Sequence, residues 1–308
     1  MDTSLLKSPL LLKRYEDHSK ALGLSPLSIV NYLCDVRAFL RFLAEEEKME
    51  NLKDVDKRTV SRYQSYLYSH PKGYNLRTQS KKLQGLKHFF RFLEKEDILL
   101  TDPTTLLRLP KIPKELPLNV PTEKEIKKLL NSIDLDARLG LRDRSILEIL
   151  YSTGIRSSEL MNLTLDSVDK ENKLLKIHKG KGNKDRVVPI GETALHYLDI
   201  YLKNERSMFI KMDGERQIFL TSRGGAMKSE NIADLLRRWT KHAGIQKSIH
   251  PHLLRHAMAT HMLRHHAPIR HIQEILGHAS LGTTQLYTKV EIHDLQRVHK
   301  KTHPRERA

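Results

Sequence analysis

Five of the chain's twelve prolines (Pro103, Pro110, Pro113, Pro117 and Pro121) fall in one stretch that holds no glycine and shows no helical period. Each proline removes a backbone donor and pushes the residue before it out of the helical region. Such a stretch cannot lie inside a helix or a central strand, so 103–121 reads as an extended linker. It divides the 308 residues into two expected domains, 1–102 and 122–308. The length agrees, since it exceeds what one ordinary core requires.

Up to about Leu100 the pattern is helical only. Ser25 stands as an N-cap with Pro26 at the first helical position. Leu27, Val30, Leu33, Val36, Leu40 and Leu43 follow as the expected apolar side of that helix. A second helix carries Val60, Tyr63 and Leu67, and a third carries Leu76, Leu83, Leu86, Phe90 and Leu93. Four or so short helices make a small bundle. After the linker, Thr122 and Glu125 form a capping-box pattern that opens a new domain. Residues 174–178, 179–184 and 186–190 read as strand, turn and strand, and Ile218–Leu220 as a third short strand. Helices are expected at about 229–243, 252–266 and 268–277, with another around Tyr287. The fold class is mainly α with a small antiparallel β-sheet.

Charge narrows the partner. Lys and Arg number 54 against 37 Asp and Glu, a net charge of +17. That balance favours a polyanion, because each cation set against a phosphate releases condensed counterions. From Lys57 to Leu93 nine basic residues occur without one acid. A solvated helix face normally mixes signs, so Arg58, Arg62, Arg77, Lys81, Lys82 and Lys87 are expected to face DNA. No run approaches the roughly 20 apolar residues of a membrane-spanning helix. The start of the chain lacks a signal-peptide pattern, and the lone Cys34 excludes an intrachain disulfide or a cysteine zinc site. A soluble intracellular protein acting on nucleic acid is expected.

Histidine is concentrated late: nine of seventeen lie between His242 and His278. His250 with His252, or His261 with His265, have a spacing that metal sites use. However, no cysteine and almost no carboxylate is near to complete a shell, so no metal is expected. Imidazole beside arginine instead suits the non-bridging oxygens of a phosphodiester.

Four segments then carry a resemblance. Thr153-Gly154-Ile155-Arg156-Ser157-Ser158-Glu159-Leu160 resembles the first arginine box of the tyrosine recombinases. Gly180-Lys181-Gly182-Asn183-Lys184 resembles their β-hairpin lysine. The run from His250 to His261 is similar to their H-x-x-R box, with His252 and Arg255. Leu276-Gly277-His278 leading to Thr283-Thr284-Gln285-Leu286-Tyr287 resembles the segment that ends in the nucleophile. The boxes stand in the family's order and spacing, and the likeness extends over nearly the whole chain. Its wording is closest to the Xer type.

The resemblance implies an N-terminal SAM-like core-binding bundle and a C-terminal catalytic domain that form a C-shaped clamp around DNA. It implies strand cleavage and rejoining through a 3′-phosphotyrosine and a Holliday junction, with no metal, nucleotide or other cofactor. Arg156 and Arg255 would bind the charge that builds on the phosphate, a role suited to planar, permanently protonated forks. Tyr287 would attack, and its phenol, with an ordinary pKa of about 10, needs activation by its surroundings. Lys181 is expected to protonate the departing 5′ oxygen, with Lys179 and Lys184 close enough to compete for the assignment. His252 would assist proton transfer and His278 bond the scissile phosphate. Glu159, on the side of its helix next to Arg156, either orients that arginine or is a surface partner, and stands outside the catalytic set.

The implied partners are double-stranded DNA with an inverted-repeat core site and a homo- or hetero-tetramer at synapsis. A second recombinase and a septal DNA translocase accompany such enzymes in dimer resolution, in a cytoplasmic, nucleoid-associated setting. Ile292, Leu295 and Val298 would be the face that docks a C-terminal helix into a neighbouring subunit, the alternative being packing within the chain or a disordered phosphate-binding tail. Resolution of chromosome or plasmid dimers and integration or excision of a mobile element remain equally open. The competing reading is a catalytically silent DNA-binding accessory protein of the same fold.

Overall fold

In the computed structural model of the protein, the described residues are 9–113, 119–178, 185–211, 214–277 and 289–306, with side chains undescribed at 289–293. The chain divides into two compact units, Met1–Leu116 and Pro117–Ala308. Among the described residues no helix is long and apolar enough to cross a membrane.

The first unit is a bundle of α1 (Pro9–Ala21), α2 (Pro26–Glu45), α3 (Lys57–Ser69) and α4 (Leu76–Lys95). Each of the last three starts on a short polar side chain that accepts a free backbone donor. Ser25 takes Ser28 N–H, Asp56 takes Thr59 N–H and Asn75 takes Thr78 N–H. Leu33, Val36, Leu40 and Leu43 meet Val60, Tyr63 and Leu67 and Leu83, Leu86, Phe90 and Leu93 in one core. Leu27 and Val30 do not join it: they are 71% and 55% exposed. A three-residue step falls about 60° short of a full turn, so a series with that spacing drifts off the face that Leu33, Leu40 and Leu43 define. Leu76, in the first turn of α4, is likewise exposed.

Residues 103–109 also belong with this bundle. Thr104 is buried, and its backbone and hydroxyl both donate to Asp102 Oδ1 at 2.7 and 2.6 Å, which closes a turn. Leu107 and Leu109 pack on the core, while Lys87 and Gln64 donate to the carbonyls of Leu107 and Arg108. The prolines exclude helix here, but these bonds tie the segment down.

The second unit opens with α5 (Glu123–Asn131), whose capping box between Thr122 and Glu125 is fully formed. It continues through α6 (Gly140–Thr153), α7 (Ser157–Met161), β1 (Val168–Asp169), β2 (Leu174–Ile177), β3 (Arg186–Pro189) and α8 (Glu192–Asn204). It ends with α9 (Ser229–His242), α10 (Pro251–Arg264), α11 (Ile269–Leu276) and α12 (Lys289–Thr302). The sheet is antiparallel in the order β1-β2-β3, with Lys176 opposite Val187.

Its third strand is β1 rather than Ile218–Leu220. The latter segment is buried, but bridges at Gln217 and Leu220 are isolated. Side chains take its carbonyls instead: Tyr201 Oη and Arg206 donate to Ile218 O, and Arg142 donates to Leu220 O. With those acceptors already satisfied, no neighbouring strand is needed.

Candidate active site

α6 is the axis on which the site is built, and nearly every one of its residues is buried. Its polar side chains are therefore matched internally. Arg142 bonds Asp143, which also receives Arg238 and the indole N–H of Trp239 on α9. Arg144 bonds Glu148, which also receives Arg305. The helix stops at Gly154, where φ is +61° and the backbone N–H closes on Leu150 O. Glycine is needed there twice over, for the left-handed conformation and because an added Cβ would lie 2.1 Å from the terminal methyl of Met258. Gly154→Ala should lower the thermal midpoint of the second unit, at a cost of about 1–3 kcal/mol from backbone strain and overpacking. An unchanged melting curve would mean that the turn tolerates a side chain.

Beyond Gly154 the chain extends for two residues, which places Arg156 immediately before α7. Glu159, in the first turn of α7, accepts both Arg156 N–H and Arg156 Nη1, each at 2.8 Å. It also accepts the two terminal nitrogens of Arg186, on β3, at 2.8 Å. Burial acts to raise the carboxyl pKa, but the bonds from Arg186 and Arg156 outweigh it and hold the group at about 2. Glu159 is thus no surface partner. It is buried, and it holds Arg156.

α10 supplies the second arginine. Pro251 starts the helix and His250 caps it, its Nδ1 accepting Leu253 N–H. His252 and Arg255, three residues apart, share one side of the helix. Arg255 is buried, and its guanidinium donates to two neutral carbonyls, Gly154 O and Leu276 O, at 2.5 Å. Burial and then the nearby Arg156 push its pKa down to about 10, which still leaves it charged at neutral pH. His252 is held below the ordinary imidazole value by partial desolvation, then by His250, Arg255 and Arg156. Two guanidiniums and an imidazole therefore converge at the end of α6, and one cation has no carboxylate of its own among the described residues. Such a cluster calls for an anion.

Lys181, His278 and Tyr287 lie outside the described residues. The strands that flank Lys181 are in place, and α11 ends at Gly277, directly before His278. Two of the other late histidines have structural bonds: His261 meets Tyr151 Oη at 2.8 Å and His265 meets Glu123 at 2.8 Å.

In the first unit, Arg58 and Arg62 lie on α3, and Arg77, Lys81, Lys82 and Lys87 on α4. Two of the six have internal carboxylates. Arg62 forks onto Glu47, and Lys82 lies 3.6 Å from the buried Asp35. Lys81 bonds Asn31 and Lys87 bonds Leu107 O. Arg58 and Arg77 form no ion pair among the described residues.

The C-terminal segment turns onto its own unit. Leu295 is buried in the second core and Val298 packs against it, so these two are not a free docking face; the side chain of Ile292 is outside the described residues. His299 and His303 are buried and donate to Ser152 O and Tyr151 O at 2.7 and 3.0 Å. Glu306 accepts Glu192 N–H at 3.0 Å. These polar contacts complement the end of α6, a match that hydropathy spacing does not reveal.

Residues 119–293 match the Phage integrase family, and residues 12–97 match the Phage integrase N-terminal SAM-like domain. The chain belongs to the phage integrase family of tyrosine recombinases. This recombinase is 41% identical over 303 residues to Tyrosine recombinase XerC 2 of Ralstonia nicotianae, spanning 96% of this chain and 87% of the relative. It is 35% identical over 283 residues to Tyrosine recombinase XerD of Staphylococcus haemolyticus, spanning 92% and 94%. Its fold resembles that of the XerH site-specific recombinase bound to difH substrate, with a TM-score of 0.68 at 24% identity over 96% of this chain and 82% of that one. Sequence reading passed over Arg186 as a strand residue and left Glu159 undecided.

Proposed function

We propose that this recombinase cleaves and rejoins DNA at a specific site through a 3′-phosphotyrosine on Tyr287, without metal or nucleotide. The observation that carries the reading is the convergence of Arg156 and the buried Arg255 at the end of α6, where Arg255 forms no ion pair among the described residues. Attack by the Tyr287 oxygen on a backbone phosphate puts negative charge on two non-bridging oxygens, and fixed guanidiniums bind that charge without reorganising. The P–O5′ bond breaks, the new P–O(Tyr) bond retains the ester, and Lys181 gives its proton to the departing 5′ oxygen. The Tyr287 hydroxyl proton passes to His252, whose imidazole is held neutral, and His278 bonds the phosphate. A 5′-hydroxyl from a partner strand then attacks the phosphotyrosine, restores the backbone and frees the tyrosine.

The working assembly is four subunits on two duplexes with inverted-repeat core sites, acting on cytoplasmic DNA. Support for the assembly comes from neighbours in fold, among them a lambda integrase tetramer bound to a Holliday junction, with a TM-score of 0.67 at 18% identity. The six basic residues of α3 and α4 are the proposed duplex contacts of the first unit, led by Arg58 and Arg77.

The test is covalent capture. Tagged protein is added to a lysate of the source with its fragmented DNA in EDTA, denatured in SDS, and the DNA still attached is sequenced. Wild type is expected to retain one short near-palindromic site and Tyr287→Phe none. No capture by either protein, with equal binding of both to the DNA before SDS is added, would instead favour a silent DNA-binding accessory. A site at a chromosomal terminus would identify dimer resolution, and a site at the ends of an element would identify mobility.

A further inference from the structure

Arg186 occupies a junction between three segments that carry the proposed chemistry. It begins β3, so it is the strand residue that closes the hairpin bearing Lys181. Its side chain is only 7% exposed, and its two terminal nitrogens fork onto the two oxygens of Glu159. Those same oxygens hold the backbone and side chain of Arg156. Its Cδ and Nε lie so close to Gly277 that a Cβ added there would come within 2.9 Å of both. The Nε–H is buried and has no hydrogen-bond partner among the described residues. Gly277 ends α11 in the left-handed conformation and precedes His278.

We infer that Arg186 is a positioning residue for strand cleavage: one guanidinium, forked onto Glu159 and pressed against Gly277, fixes Arg156, the hairpin and the entry to His278 in register with one another. This inference rests on the catalytic reading proposed above. A fork is required because Glu159 presents two oxygens that must both be fixed if neither is to turn away from Arg156. A lysine keeps the charge and delivers a single donor direction. Gly277 leaves room for the guanidinium, so the close approach and the fork are two parts of one arrangement. The residue does not reach the phosphate; it acts through Glu159.

The experiment uses the full chain and a nicked duplex carrying the site that covalent capture recovers. Two quantities are read: the single-turnover rate of adduct formation at saturating protein, and the protein concentration that half-saturates the DNA. Arg186→Lys and Arg186→Gln are expected to slow adduct formation on the order of 100-fold, as misplacement of a reacting group does. The half-saturating concentration should stay within about twofold, which loss of a merely structural residue would not produce. Glu159→Gln is expected to be similarly slow, and the Glu159→Gln/Arg186→Gln double variant no slower than the worse single one. Arg186→Lys, which retains the charge, carries the test if Arg186→Gln fails to fold. A rate for Arg186→Lys within about twofold of wild type overturns the inference, as does a double variant whose losses multiply. In either case a wild-type adduct leaves the catalytic reading standing. If wild type forms no adduct on the duplex, that reading falls and the inference with it.

Discussion

Arg255→Gln is expected to slow covalent capture by roughly 10³-fold, the scale at which removal of one preorganised charge-stabilising donor is felt. The half-saturating protein concentration should change far less, because many exposed cations share the work of holding the duplex. The prediction follows from where Arg255 is, not only from what it is. Its two terminal nitrogens are fixed on Gly154 O and Leu276 O, so the guanidinium cannot relax away from the charge it faces. Arg255 forms no ion pair among the described residues; Arg156 opposes its charge, and Glu159, already bound to Arg156 and Arg186, offsets that only in part. An anion that arrives there relieves a repulsion the resting protein already carries. Arg255→Lys separates charge from geometry: it retains the cation, loses the planar fork, and should remain slower than wild type by about 100-fold. Thermal melts of both variants report how much follows from the two carbonyls left without donors. If Arg255→Gln captured DNA at the wild-type rate, the buried cation would be a structural feature of the α6–α10 contact.

The second large effect is acid lability of the second unit. His299 and His303 stack at 4.7 Å with their planes 10° apart, buried on the end of α6. Each donates from Nε2 to a carbonyl, and His303 Nδ1 accepts Arg305 N–H, so both rings are held neutral. Burial pushes His299 down to about 4, partly offset by its bond to Ser152 O. Burial, and then His299 itself, pushes His303 well below the ordinary value. Arg305 and His261 also bear on His303, and Glu148 lies beyond, bonded to Arg144 and Arg305.

Because the folded values are depressed, the unfolded chain takes up protons that the folded chain refuses. Stability is therefore complete above about pH 6.5 and is lost as the pH falls towards 4. His299 alone contributes roughly 3 kcal/mol over that interval. Glu159, ordinary when unfolded and near 2 when folded, adds its loss only below about pH 4.5. Glu205 and Glu306, whose values are raised, act in the opposite direction. Replacing both histidines with glutamine, which donates equally well, isolates the imidazoles. The wild-type melting temperature should fall steeply between pH 6.5 and 5 and that of the double variant much less, the remaining slope belonging to His252 and His261, which are also held low. Parallel curves for the two proteins would remove the histidines from the account.

The amino-acid sequence determined what local rules can determine. Ser25 with Pro26, Asp56, Asn75 and Thr122 with Glu125 are short-range chemistry, and each starts a helix where the spacing requires. The hairpin on either side of 179–184 and the division at the proline cluster are also readable within a few residues of each position, whereas Arg156, His252 and Arg255 were singled out only by the resemblance of their segments. What the sequence left open depended on partners distant along the chain. Leu27 and Val30 are as apolar as Leu33, and only the packing of α1 and α4 against α2 decides which side is covered. Ile218–Leu220 has strand composition, but Tyr201, Arg206 and Arg142 already satisfy its carbonyls. Leu295 and Val298 read as a surface to offer a neighbour until the second core covers them and the end of α6 presents carbonyls to His299 and His303. Arg186 and Glu159 are 27 residues apart and gain meaning only when β3 lies beside α7. Buried together, each supplies the other's counter-charge, and the tertiary structure alone brings the two within reach.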